Sequence, residues 1–183
     1  VKKVSCVIPT RGDVDLTPVL ESLPFDDVVV WNNAKRDDLG IYGRYAAIAE
    51  ARHDVIVSQD DDVIVTCWPE ILRSYEPGVL TVNYAEPWDI PWPSVGSIFD
   101  RDLPERAFAL YESSFPRDRM FTHQTCDAVF ALLTEQVKVI YHGHENLPHG
   151  FAEGRVSTTP GWYTGPRAEV MVRCRSLRAK AAA

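Results

Sequence analysis

Three consecutive carboxylates, Asp60, Asp61 and Asp62, come directly after the apolar run Val55-Ile56-Val57 and Ser58-Gln59. Adjacent carboxylates repel one another unless a cation or solvent screens them. In extended backbone side chains alternate, so Asp60 and Asp62 are expected on one side and Asp61 on the other. Two carboxylates on one side of a strand end suit a hard divalent ion, Mn2+ or Mg2+, that keeps open positions for phosphate oxygens. Such an ion neutralises a diphosphate and stabilises it as a leaving group. An acidic triplet taken alone is more often a solvated loop, and it is the position at a strand end that argues for chemistry here. A calcium-binding helix-loop-helix is excluded: counting from Asp60, the sixth position is Val65 and the twelfth is Ile71, where that loop needs Gly and Glu.

Two other polar groups also sit at the ends of apolar runs. Asn32-Asn33 closes Val28-Val29-Val30-Trp31, and its amides can read the edge of a base such as uracil, or else simply form a turn. Arg11, after Val4–Ile8 and Pro9-Thr10, can donate to base carbonyls or phosphate, with a plain Arg11-Gly12-Asp13 turn as the alternative. In the second half Asp127 interrupts an apolar stretch and Glu145 sits just past a predicted strand; these are the two candidate catalytic carboxylates. His142, His144 and His149 surround Glu145. They do not form H-E-x-x-H, because His144 and His149 are five apart and Pro148 breaks the helix that motif needs. A zinc hydrolase is therefore disfavoured. Trp88, Trp92, Trp162 and Tyr163 lie in Pro/Gly-rich segments, where flat rings either pack against sugars or bases or fold the loops onto the core. Gly161 and Gly165 flank Trp162-Tyr163 and suggest a loop that orders on ligand binding.

The elements that must position these groups alternate. Strands are predicted at 4–8, 28–31, 55–57 and 79–82, with helices opening at Thr17-Pro18, over 42–52 and over 68–75. That order specifies an α/β fold with a mostly parallel sheet and flanking helices. Ligands bind such sheets beyond the carboxyl ends of the strands, so Thr10-Arg11, Asn32-Asn33 and 60–62 should converge on one edge. Residues 84–104 hold Trp88, Trp92 and four prolines and read as a long ordered loop or flap. Cys126–Leu133 and Val137–His142 read as later strands, the first with a helical alternative, and 169–178 as a terminal helix with Val170, Cys174 and Leu177 inward. No repeat or linker divides the 183 residues, so a single domain is expected, with 1–83 as one functional half and 84–183 as the other.

With 45% hydrophobic and 25% charged residues the chain reads as globular. No apolar run approaches the ~18 residues of a membrane span. The net charge of −7 is uneven: residues 155–183 carry +5, which leaves −12 on the rest. An acidic body does not suit non-specific nucleic-acid binding, which rests on neutralising phosphates. The four scattered cysteines read as reduced, buried residues, and a cytoplasmic location is expected.

Four segments, V-I-P-T-R at 7–11, V-V-W-N-N at 29–33, G-R-Y at 43–45 and S-Q-D-D-D at 58–62, resemble the donor half of GT-A glycosyltransferases, most nearly the exostosin-type family. The resemblance covers about residues 4–82. It implies a Rossmann-like GT-A fold and a nucleotide-diphospho-sugar donor, a UDP-sugar, with Mn2+ or Mg2+ as cofactor. It implies that Pro9, Thr10, Arg11, Asn32 and Asn33 line the nucleotide pocket and that Arg44 reaches the diphosphate. Asp60 and Asp61 would contact the donor, and Asp62 would hold the metal, joined by Asp60 and by a late histidine, His144. The second half resembles the family less, so Asp127 and Glu145 stay as alternatives for catalysis, and the acceptor is a glycan, a protein, a small molecule or modified nucleic acid. A nucleotidyltransferase is a second reading, weakened by the single glycine in the first loop; a non-catalytic binder of carbohydrate or nucleotide-sugar is a third.

Overall fold

Along β1 (Val4–Thr10) every residue is buried, with Val4, Cys6 and Ile8 packing to one side and Val7 to the other. A strand covered on both faces has no need of polar alternation, which is why it reads as a continuous apolar run. The computed structural model describes residues 2–83, 90–116, 125–140, 143–147 and 165–181. Trp88, His142, His149, Gly161, Trp162 and Tyr163 lie outside these.

The other strands are β2 (Asp27–Asn32), β3 (Val55–Gln59), β4 (Val63–Val65), β5 (Val79–Val82), β6 (Val95–Asp100), β7 (Gln136–Val139) and β8 (His144–Asn146). Six form one sheet in the order β2-β1-β3-β6-β5-β7, and β4 pairs with β8 in a small separate ribbon. β2, β1 and β3 run parallel, as do β5 and β7, while β6 is antiparallel to both its neighbours. The helices are α1 (Thr17–Glu21), α2 (Gly43–Ala47), α3 (Trp68–Arg73), α4 (Leu103–Ser114), α5 (Cys126–Leu133) and α6 (Pro166–Ala181). One core lies between the sheet and α2, α4, α5 and α6; Tyr45, Phe99, Phe108 and Phe130 meet edge to face within it. A second core on the other face gathers α1, α3 and β4 around Val19, Val63, Trp68 and Ile71. The molecule is thus a mixed, mostly parallel sheet between two helical layers.

Several expectations change. The predicted flap at 84–104 contains β6, a central strand, and runs into α4. Gly96 and Ser97 dilute the apolar signal of β6, while Leu103, Ala107, Phe108 and Tyr111 do recur at helical spacing in α4 and are buried. Cys126–Leu133 is a helix, not a strand; all eight residues are buried, and the run, apolar but for Asp127, carries no period that separates the two. The helix expected over 42–52 is one α-helical stretch with 3-10 turns at 40–42 and 48–50. α1 opens at Thr17-Pro18 as expected, and just ahead of it the Asp15 carboxylate accepts the Thr17 N–H at 3.0 Å. The terminal helix has Val170 and Cys174 buried as expected, with Leu177 packed against them. All four cysteines are buried thiols. Among the described residues no helix is long and apolar enough to cross a membrane.

The lower edge of the sheet is tied by Asp27. It accepts Ser5 Oγ–H at 2.5 Å and the Arg52 N–H at 2.9 Å, and Ser5 Oγ in turn accepts the His53 N–H at 3.0 Å. Burial alone would raise the Asp27 carboxyl, but the Ser5 hydroxyl, the Arg52 N–H and the charges of Arg52 and His53 outweigh it and hold it below its ordinary value. A carboxyl lower in the folded than in the unfolded chain contributes stability above the unfolded value, about 4, and loses it as pH falls through the folded one. Asp27→Asn is therefore expected to cost about 1–3 kcal/mol at neutral pH and to flatten the acid limb of stability. Denaturant melts across the acid range check this; identical acid limbs for the two proteins would contradict it.

Candidate functional site

Because β1, β2 and β3 are parallel, their carboxyl ends share one edge, with Thr10 opposite Asn32 and Val7 opposite Ser58. The three expected segments do meet there. Thr10 Oγ1 accepts the Gly12 N–H at 3.0 Å, turning the chain after β1. Gly12 has φ of 87°, and a Cβ there would lie 2.6 Å from Asn32 Oδ1, so only glycine lets the first loop press onto the second. Pro9 is fully within β1, and Thr10 is 2% exposed, so Arg11 is the first residue of this loop to reach solvent. Its guanidinium pairs with Asp13, which with the charge of Asp61 keeps Arg11 strongly protonated. Arg11 is thus within electrostatic reach of the acidic turn.

The two asparagines differ. Asn33 Nδ2 donates to Thr10 O and Gly40 O, both at 3.1 Å, and Oδ1 accepts the Leu39 N–H at 2.9 Å. Both amide hydrogens are engaged, so Asn33 is a strut for the 33–40 loop and not a reader of bases. Asn32 Oδ1 accepts the Ala34 N–H at 2.9 Å, and the side chain lies at the edge, half-buried.

The aspartate run is not extended. β3 ends at Gln59, 61–62 form a turn, and β4 begins at Val63. Gln59 Nε2 spans the turn to Val63 O at 2.8 Å. The Asp60 N–H bonds Ser94 O at 2.7 Å, next to a bulge where Ser58 faces Ser97 but Gln59 faces Val95. The extra residue is Gly96, with φ of 97° and a Cβ position only 3.0 Å from Val65 Cγ2. A bulge of this kind bends its own strand, here β6, and disrupts the ladder with β3 just before the three carboxylates begin.

Arg44 lies beneath the acidic turn, with its guanidinium at the carboxyl end of β3. Fully buried on α2, it donates from Nη1 to Ser58 Oγ at 3.0 Å, pairs through Nη2 with Asp60, and lies with Nε 3.4 Å from Asp127 Oδ1. Burial would lower its basicity, but Asp127 and then Asp60 outweigh this and keep the charge on. Burial pushes the Asp60 carboxyl up to about 7; Arg44 pulls the other way, and Asp62, Asp127 and Asp61 add to the rise. Asp127, in the first turn of α5, is 3% exposed and also accepts Tyr45 Oη–H at 2.7 Å. Its carboxylate is turned into the protein, toward Tyr45 and Arg44. Glu145 is exposed on β8 opposite Ile64.

The expected metal set of Asp60, Asp62 and His144 does not assemble. Arg44 engages Asp60, and His144 stands opposite Val65, three residues along β4 from Asp62. Among the described residues no three His, Cys, Asp or Glu side chains form a group able to hold a metal ion alone. Asp61 and Asp62 still offer hard carboxylate oxygens on a half-buried turn. That donor set suits an ion completed by phosphate oxygens and water, the usual habit of Mg2+, and not a protein-only cage.

No protein-family profile and no curated protein matches this chain. Solved structures do. Residues 1–349 of S. aureus TarS, in complex with UDP-GlcNAc, superpose with a TM-score of 0.53 at 12% identity, over 86% of this chain and 61% of that one. Glucosyl-3-phosphoglycerate synthase from Mycobacterium tuberculosis, in complex with Mn2+, UDP-glucose and phosphoglyceric acid, does so with a TM-score of 0.50 at 12% identity, over 94% of this chain and 80% of that one. This chain has the GT-A fold. It spans less than two thirds of the TarS fragment's length.

Within the GT-A frame, Ser58, Gln59 and Tyr45 are the polar residues around the acidic turn that sequence reasoning missed. S-Q-D-D-D drew attention to the carboxylates, but Ser58 just before them meets Arg44, Gln59 closes the turn onto Val63 O, and Tyr45 on α2 holds Asp127. Trp92, a candidate for sugar stacking, is half-buried against both cores, with the Arg167 guanidinium 4.1 Å from its ring centroid. One ring face is therefore already taken by a cation.

Proposed function

We propose that this GT-A chain is a metal-dependent glycosyltransferase that moves a sugar from a UDP-sugar to a hydroxyl of a soluble acceptor. The observation that carries this reading is the acidic turn at 61–62, set beside Arg11 and Asn32 at the carboxyl ends of three parallel strands. The UDP-sugars in both solved neighbours, and the Mn2+ in one, support the donor and cofactor. The exostosin-like pattern over 4–82 belongs with the same reading, as do four reduced thiols with a cytoplasmic protein.

In this mechanism Asp62, assisted by Asp61, holds Mn2+ or Mg2+, which supplies charge neutralisation to the diphosphate. Asn32 presents its amide to the uracil edge, and Thr10 and Pro9 form the floor beneath the nucleoside. Arg11 covers the outer side and donates to phosphate or a base carbonyl. Asp127 is sequestered, which leaves Glu145 as the exposed one of the two candidate carboxylates, on the ribbon whose Leu147 N–H bonds Asp62 O at 2.8 Å. The test is thermal melting with UDP, Mn2+ or both, and then a panel of UDP-sugars assayed for hydrolysis. Melting temperature should rise only with both ligands together. A rise with neither metal nor nucleotide required would contradict the site, and a rise without turnover of any donor would make the chain a non-catalytic binder.

A further inference from the structure

Arg44 is a cation shared between the two halves of the chain. It reaches Ser58 and Asp60 at the end of β3 and Asp127 at the start of α5, and it has 1% side-chain exposure. Tyr45, the next residue on α2, donates to the same Asp127 oxygen that faces Arg44 Nε. We infer that Asp127 is a positioning residue: with Tyr45 it fixes the Arg44 fork, and the fork fixes Asp60 and so the direction in which the acidic turn leaves the sheet. The inference extends the proposed transferase reading and rests on it for its nucleotide arm alone.

The geometry separates this role from proton transfer. A general base must come within hydrogen-bond reach of the hydroxyl it activates, directly or through one water. Asp127 Oδ1 already accepts the Tyr45 hydroxyl and faces a guanidinium, in a position 3% exposed. A guanidinium presents its donors in a rigid planar fork, so holding one nitrogen constrains the other two. Asp60 follows Gln59, the first β3 residue past the Gly96 bulge, and its own backbone is anchored through its N–H to Ser94 O. Its side chain is therefore the second point that sets the course of 60–62.

The test uses the full chain as wild type, Asp127→Asn and Asp127→Glu, with amide hydrogen exchange read by segment and UDP·Mn2+ binding titrated well below the melting temperature. In Asp127→Asn, exchange at 59–62 should accelerate about tenfold relative to 4–10, and Kd for UDP·Mn2+ should rise about tenfold, a change of about 1.4 kcal/mol. The pH profile of UDP-sugar turnover should keep its shape, and Asp127→Glu should recover most of both losses. Should Asp127→Asn not fold, Tyr45→Phe removes one hydrogen bond to the same carboxylate and should give the same pattern at about threefold. Exchange that rises evenly along the chain, or stays unchanged at 59–62, overturns the inference. So does a collapse of turnover at unchanged Kd with loss of one pH limb, which would make Asp127 the proton acceptor. If the wild type binds no UDP·Mn2+, the transferase reading fails, and the exchange comparison still decides the role of Asp127.

Discussion

Asp62→Ala should abolish the UDP- and Mn2+-dependent rise in melting temperature and reduce UDP-sugar turnover by about a hundredfold or more. A ligand at about a hundred times its Kd adds about 2.7 kcal/mol. For a chain of this size that corresponds to roughly 5–10 °C, a shift easily measured. The substitution removes a carboxylate from the turn but leaves the backbone carbonyl that receives the Leu147 N–H, so the fold should survive. Melting of the unliganded variant within about 2 °C of wild type would establish that. Asp62 is the informative choice because Asp60 is tied to Arg44, and its removal would mix ligand loss with structural loss. A variant that still responds to UDP and Mn2+ as the wild type does would remove the metal from this turn and with it the transferase reading.

Arg44→Met should be the most destabilising single substitution around the site, at about 3–5 kcal/mol. The side chain is buried without exposure, and its guanidinium stands between Asp60 and Asp127. Its removal leaves two carboxylates near each other in a poorly hydrated region, and like charges there raise each other's cost of ionisation. Melting should fall by roughly 10 °C, and more at neutral than at acid pH, because protonating the stranded carboxylates relieves the repulsion. Arg44→Lys should recover only part, since an ammonium cannot reach three separated oxygens at once as the fork does. A Met variant within about 1 kcal/mol of wild type, measured by denaturant melts, would show that the pair contributes little.

The first half of the fold was legible because β1 and β3 are buried on both faces, β2 is an apolar run partly buried at the sheet edge, and all three are bounded by turn residues. Val4–Ile8, Val28–Trp31 and Val55–Val57 each end in polar residues that the parallel sheet brings to one edge. The central strand β6 was hidden by its own bulge: Gly96 and Ser97 look like loop chemistry until the register with β3 is known. Cys126–Leu133 was ambiguous in principle, since burial on all sides erases periodicity. At the site, adjacency in sequence identified the residues, but which way each pointed depended on contacts 14 to 82 residues away. No local pattern announces that Arg44 turns inward to Asp127, or that Asn33 uses its amide on Gly40 while Asn32 stays at the edge. The metal-site expectation assumed extended backbone through 60–62, and the turn closed by Gln59 replaced it.

The strand order also says something about synthesis. β6 lies between β3 and β5, so a nascent chain that has emerged only as far as β5 has β1, β2 and β3 assembled with one side of β3 unpaired. An apolar edge of that kind, Val55-Ile56-Val57, is a template for pairing with another chain until residues 95–100 leave the ribosome and cover it. The segment that carries the candidate site is therefore no detachable module: truncation after β5 should yield an aggregating fragment, because the strand that closes it is encoded downstream.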